Sequence, residues 1–146
     1  MGIEIRDAGV RDIDAVRAVV TAAFGRRSEA DLVDSLRADG DAVISLVAVE
    51  DGAVVGHVMF SRLIAPFAAL ALAPVCVSPE RQGRGIGSAL IRMGLGRAGQ
   101  DQWQAVFVLG EPEYYRRFGF DAALAGGFDS PYAGPFLMAV ALSGPL

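Results

Sequence analysis

The chain has 146 residues, 53% of them apolar and 21% charged, with a formal net charge of −4. That balance excludes a disordered chain and fits one globular domain, expected to span residues 1–146 and to bury a core of its own. All 13 basic residues are arginines, which excludes a lysine Schiff base, a catalytic lysine and a lysine-bearing phosphate loop, and the acidic balance argues against nucleic acid as a partner.

Ile3–Arg6 alternates apolar and polar residues and reads as a first strand. Ile13, Val16, Val20 and Ala23 or Phe24 recur at helical spacing across Asp12–Phe24. Ser28 is placed to cap a second helix, with Asp31 completing an approximate capping box and Leu32 and Leu36 facing inward, up to a stop near Gly40. Val43–Val49 and Val54–Phe60 are β-branched runs on either side of Asp51-Gly52, which predicts a hairpin. Ala69–Val77 reads as a buried strand, and Gly85–Arg97 as a helix with Ile86, Leu90 (or Ala89), Met93 and Arg97 in register. Gln104–Leu109 is a further strand, Glu111–Phe118 a short helix closed by Gly119, and Pro135–Leu142 a last strand. The order β-α-α-β-β-β-α-β-α-β, with a small extra strand around Phe120, rules out a simple alternating wound sheet and points to a mixed sheet with helices on both faces. Pro74 has no N–H to donate inside a strand that should be central, so a bulge or local separation is expected there.

One cysteine, Cys76, allows no intrachain disulfide and fits a reducing compartment. The first residues lack the basic start and apolar stretch of a secretory signal, and the uncharged stretch Leu63–Pro79 is too short and too proline-interrupted to span a bilayer. A soluble cytoplasmic protein with no membrane partner is the expectation.

Chemistry concentrates after the Ala69–Val77 strand. Gly83, Gly85 and Gly87 open the next helix, where backbone N–H groups are unpaired, the dipole is positive, and glycine lets an anion come close. Arg81 and Arg84 flank the turn and could add charge-assisted bonds, although Glu80 and Arg81 read more readily as shaping the turn than as doing chemistry. On this signal alone the turn is either a phosphate cradle or a mere connection. It is not the dinucleotide fingerprint, because Ser88 stands where the third glycine would be.

Gln82-x-x-Gly85-x-Gly87, following Val75-Cys76-Val77-Ser78-Pro79-Glu80-Arg81, resembles the Gln/Arg-x-x-Gly-x-Gly/Ala signature of the GNAT superfamily of N-acetyltransferases. Tyr114-Tyr115-Arg116-Arg117-Phe118-Gly119-Phe120 resembles the superfamily's second hallmark, a tyrosine four residues before Gly-Phe. Val108–Tyr115 with Phe118-Gly119-Phe120, and Val55-Gly56-His57 with Ser61, are similar to its YhbS-like branch. The resemblance covers nearly the whole chain. It implies an α/β (α+β) fold, with a mixed, mostly antiparallel sheet of six to seven strands splayed between strands 4 and 5 and helices on both faces.

It also implies acetyl-CoA as co-substrate, no metal, and an amine acceptor that is a small molecule or peptide. Val75, Cys76 and Val77 would present backbone groups to the pantetheine arm. The backbone N–H groups of Gln82, Gly83, Arg84, Gly85, Ile86, Gly87 and Ser88 would hold the pyrophosphate. Tyr115 matches the position that often serves as general acid. Glu111 and His57 are the available bases, each with a plainer reading as a capping carboxylate and a packed histidine, and neither is assigned. Cys76, between two valines with no histidine next to it, reads as inert packing. Acceptor-lining residues are expected in the first two helices, around Ala65–Ala68, and in Ala125–Pro135. The apolar last strand could pair with a second subunit to give a homodimer. The alternative to an enzyme is an acyl-CoA-binding sensor that retains the fold without turnover.

Overall fold

The computed structural model describes residues 2–128, 130 and 132–143. The strands are β1 (Glu4–Asp7), β2 (Ala42–Glu50), β3 (Ala53–Leu63), β4 (Ala69–Val77), β5 (Ala105–Leu109) and β6 (Leu137–Ala141). The helices are α1 (Ile13–Phe24), α2 (Ser28–Ala38), α3 (Ile86–Gln100), and the one-turn pieces α4 (Pro112–Tyr115) and α5 (Ala122–Ala125). The six strands form one mixed sheet in the order β1-β2-β3-β4-β5-β6, with β4 and β5 parallel and the β1–β2, β2–β3 and β5–β6 pairs antiparallel. The chain divides into two compact units, Met1–Ser61 with Ala73–Gly94 and Arg62–Leu72 with Leu95–Leu146. Among the described residues no helix is long and apolar enough to cross a membrane.

In the first unit the hairpin forms where Asp-Gly calls for it. Asp51 (φ 51°) and Gly52 (φ 81°) both take the left-handed backbone of a two-residue turn, and Glu50 pairs with Ala53 across it. Val16, Val19 and Val20 of α1, Ala30 and Val33 of α2, and Val47, Met59 and Cys76 of the strands make one buried cluster. Asp12 leads into α1, its carboxylate accepting two bonds from Arg6 and one from the Gly9 N–H. The opposite face of β3 meets α3, since a β-carbon on Gly56 would lie 3.1 Å from Leu90 and 3.3 Å from Ile86.

Three side-chain expectations differ. Leu32 faces outward, 43% exposed, and Ala30 and Val33 take the buried positions of α2. Ser28 does not cap α2: Arg27 precedes the helix without a side-chain cap, and the Ser28 hydroxyl donates to Glu29, which also holds Arg26. In α3 the inward stripe is Ile86, Leu90, Gly94 and Ala98 rather than one through Met93, which is 43% exposed. The close approach of α3 to Phe60 causes this shift, because a β-carbon at Gly94 would fall 2.1 Å from the Phe60 ring.

The second unit has its own small core of Ala69, Ala105, Phe107, Ala125 and Ala139, with Leu63, Ala65, Phe67, Phe128 and Leu137 packed against it. The parallel ladder pairs Ala69, Leu70 and Ala71 with Ala105, Val106 and Phe107, and it ends short of Pro74, whose peptide bond to Ala73 is cis. The extra strand expected around Phe120 is a single bridge, Asp121 exchanging both backbone bonds with Ala139. That bridge occupies part of the β6 edge that a second subunit was expected to use. The expected helix after Glu111 is α4 followed by a tighter turn over Arg116–Phe118, closed by Gly119 at φ 95°.

His57 is fully buried on the α1–α2 face of β3, opposite Val47. Its Nδ1 lies 2.9 Å from the Leu46 carbonyl, and the buried Nε2 has no protein partner. The ring is therefore neutral with Nδ1–H donating to that carbonyl, and burial depresses its pKa to about 4.

Two stability outcomes follow from these contacts. Gly94→Ala should gain up to about 1 kcal/mol of helix propensity and lose about 1–3 kcal/mol to overpacking against Phe60, a net loss readable as a lower denaturant midpoint. For His57, both folded and unfolded chains are neutral above pH ~6.5, so nothing changes there. Between that pH and about 4 only the unfolded chain takes up the proton, and stability should fall by about 3 kcal/mol before levelling off. Denaturation at stepped pH checks this: His57→Gln should flatten that segment of the curve, and an unchanged slope would contradict it.

Candidate active site

β4 ends at Val77, and the Ser78 N–H donates to the Val55 carbonyl at 2.8 Å, fixing the strand end against the start of β3. One tight turn, Pro79–Arg81, leads into an extended Gln82. Gly83 (φ 81°) and Gly85 (φ 79°) then take left-handed backbone, and α3 begins at Ile86. A β-carbon at either glycine would meet nothing within 4 Å, so backbone conformation and not crowding demands glycine here. The first α-helical bond runs from the Ala89 N–H to the Gly85 carbonyl at 3.0 Å. The N–H groups of Ile86, Gly87 and Ser88 therefore precede the helical ladder at the positive end of a 15-residue helix. Such backbone N–H groups at a helix start suit an oxyanion.

The side chains around the turn have other partners. Gln82 Nε2 donates to the Val77 carbonyl at 3.1 Å, tying the turn to the strand before it. Arg81 Nε and Arg84 Nη2 donate to the two oxygens of Glu50, each at 2.7 Å, so Arg81 shapes the turn as expected, and the side chain of Arg84, which the sequence offered to a ligand, is held by Glu50 as well. Glu50 stands at the end of β2, and the guanidiniums of Arg81, then Arg84, hold its carboxyl below the ordinary range. Sequence reasoning missed Glu50 because no motif contains it. The available signal was topological: the Asp51-Gly52 hairpin returns the end of β2 to the start of β3, where β4 also ends.

Val75 and Val77 are half-buried and Cys76 is buried, as alternation along β4 requires. Burial pushes the Cys76 thiol up to about 12, against the smaller opposing effect of a hydrogen bond from the His57 backbone. A protonated thiol inside the core is no nucleophile. Among the described residues no three His, Cys, Asp or Glu side chains gather to hold a metal ion.

In the second unit, Tyr115 closes α4, its N–H donating to the Glu111 carbonyl at 3.1 Å. Glu111 precedes the helix without a side-chain cap bond and is exposed. The Tyr115 ring packs edge-on against Tyr114 (5.0 Å) and Phe120 (5.8 Å) and lies against Gly110, where a β-carbon would come 2.5 Å from it. Burial raises its phenol to about 12, so it stays protonated through the neutral range. The neighbouring Tyr114 ring also carries the Arg117 guanidinium over it, at 4.7 Å. Elsewhere in this unit, two of the segments expected to line an acceptor touch each other, Phe67 packing edge-on against Phe128 at 5.3 Å. Asp129 and Pro131, within the second of these segments, lie outside the described residues.

A family profile described as an acetyltransferase (GNAT) domain matches residues 41–122, from the start of β2 through the Tyr115 region. The uncharacterized N-acetyltransferase YjhQ of Escherichia coli (strain K12) is 41% identical over 133 residues, 85% of this chain and 73% of that protein. The crystal structure of the GNAT family N-acetyltransferase YhbS from Escherichia coli in complex with CoA superposes with a TM-score of 0.90 at 30% identity, over 97% of this chain and 82% of that one. A GNAT family acetyltransferase from Brucella melitensis in complex with acetyl-CoA gives 0.86 at 37%, over 99% and 91%. The chain belongs to the GNAT family of acetyltransferases.

Proposed function

We propose that the chain is an N-acetyltransferase that moves an acetyl group from acetyl-CoA to a primary amine by direct attack in a ternary complex, with residues 1–146 working as one domain. The observation that carries this reading is the backbone of the Gln82–Ser88 turn, two left-handed glycines opening a helix with no side chain over them. Relatives at 30% and 37% identity were crystallised with CoA and with acetyl-CoA, which supports the same co-substrate here. Since β3, β4 and α3 each run through both compact units, neither unit is a continuous piece of chain, which favours a single working domain.

Acetyl-CoA supplies an activated acyl group, and the chain's own task is to bind, orient and manage protons. Backbone N–H groups of Gln82, Gly83, Arg84, Gly85, Ile86, Gly87 and Ser88 hold the pyrophosphate. Val75, Cys76 and Val77 lie past the β5 ladder and offer backbone groups to the pantetheine amides, with one N–H polarising the acyl carbonyl. Tyr115 donates a hydrogen bond to the departing sulfur. With its phenol raised to about 12 and thiols near ~8.5, full proton transfer to the sulfur would run uphill, so its contribution is the bond to the developing charge. His57 is sealed in the core and is not the base.

The acceptor is a small-molecule or peptide amine, and the acidic chain favours a cationic one. The absence of a membrane-crossing helix among the described residues and the single reduced cysteine are compatible with a soluble cytoplasmic enzyme.

Release of CoA thiol from acetyl-CoA, measured against a panel of primary amines beside an amine-free control, tests the reading. Tyr115→Phe should lower kcat by about 100-fold while CoA binding stays within twofold, on the usual scale of a lost acid contact. CoA binding by the wild type with no thiol release on any amine would favour the non-catalytic sensor.

A further inference from the structure

We infer that Glu50 is the positioning residue of the glycine turn and sets acyl-donor affinity through Arg81 and Arg84; the inference rests on the coenzyme A reading above. One carboxylate, 12% exposed, holds a guanidinium on each oxygen at 2.7 Å. Arg81 lies before the turn and Arg84 sits between the two left-handed glycines, so the pair of bonds spans Gly83. Nothing packs over Gly83 or Gly85. Glycine carries the largest backbone entropy of any residue, so a turn that packing does not hold must be held by bonds at its ends. Before Gly83 these are the Gln82–Val77 bond and the bonds of Arg81 to Ser78, Glu80 and Glu50, and after it the Arg84–Glu50 bond, so among the described residues Glu50 is the one group that ties the two ends together.

Two effects of opposite sign act when Glu50 loses its charge. Removing a carboxylate beside an anion site raises the local positive potential and would tighten binding, an effect that salt screens at half-exposed groups such as Arg84. Releasing both arginines frees a glycine-rich turn that a ligand must then re-order, a cost that salt does not touch. Several backbone torsions are freed against one screened charge, so the ordering cost wins. Glu50 touches no substrate and acts on the turn by holding its two arginines still.

The test is calorimetric CoA binding to wild type, Glu50→Gln, Arg84→Gln, their double variant and Glu50→Asp, at about 0.15 M and about 1 M salt. Expected for Glu50→Gln is a Kd raised about tenfold at both salts, with KM for acetyl-CoA rising in step and kcat within about twofold. Glu50→Asp should recover part of the affinity, and Arg84→Gln should cost little once Glu50 is already Gln. Unchanged or tighter binding by Glu50→Gln, or a loss that disappears at high salt, overturns the inference while leaving the coenzyme A reading intact. Failure of the wild type to bind CoA overturns both. If Glu50→Gln does not fold, Arg81→Gln takes its place and must weaken binding by a factor that persists at about 1 M salt, where the effect of its lost charge is screened.

Discussion

Pro74 cannot donate a backbone hydrogen bond, and the parallel ladder of β4 with β5 ends before reaching it. β4 gives its first residues, Ala69–Ala71, to a parallel ladder with β5 and its remaining length to something else. A strand built without a full set of neighbours leaves main-chain groups that water or a ligand must satisfy. In this chain the released stretch runs straight into the glycine turn, and Ser78 pins its end to β3 before the turn begins. Under the acetyltransferase reading, the same break that opens the strand also aims it.

Glycine does two unrelated jobs here. At Gly94 and Gly110 a ring comes so near that a methyl group would collide with Phe60 or Tyr115, and at Gly56 it would press on the Cys76 carbonyl at 3.1 Å. Those three set packing distances, and Gly110 keeps the Tyr115 ring in place. At Gly83 and Gly85 there is only open space and a left-handed backbone. Sequence alone does not separate the two roles, since both appear as a glycine in a regular pattern. They differ in consequence: a substitution at the first kind deforms the core, and at the second it bends only the turn.

What could be read in advance was whatever short-range chemistry decides. The Asp51-Gly52 hairpin, the β4 limits at Ala69 and Val77, and the glycine turn each depend on residues next to one another. The misses share a different origin. Leu32 and Met93 carry the right periodicity but lost their inward places to Val33 and Gly94, because the partner surface decided which flank of the helix could come close. Ser28 is itself the first residue of α2, with Arg27 at the cap position, so its hydroxyl is one residue too late to cap and donates to the Glu29 carboxylate. The one-turn α5 is too short to show a period, and Asp121 caps it by accepting from the Ala123 N–H. Glu50 lies 31 and 34 residues from the two arginines it binds, and only the folded strand order brings them together.

Cys76 has a practical side. It is the only cysteine in the chain, 7% exposed, with a thiol raised to about 12. A chromogenic disulfide reagent reacts with thiolate, and at neutral pH the folded protein presents almost none. Colour that develops in a stirred cuvette therefore counts free coenzyme and leaves the protein out of the tally. A slow drift in that blank would mean the opposite: molecules opening far enough to bare their core, so the assay doubles as a clock for unfolding.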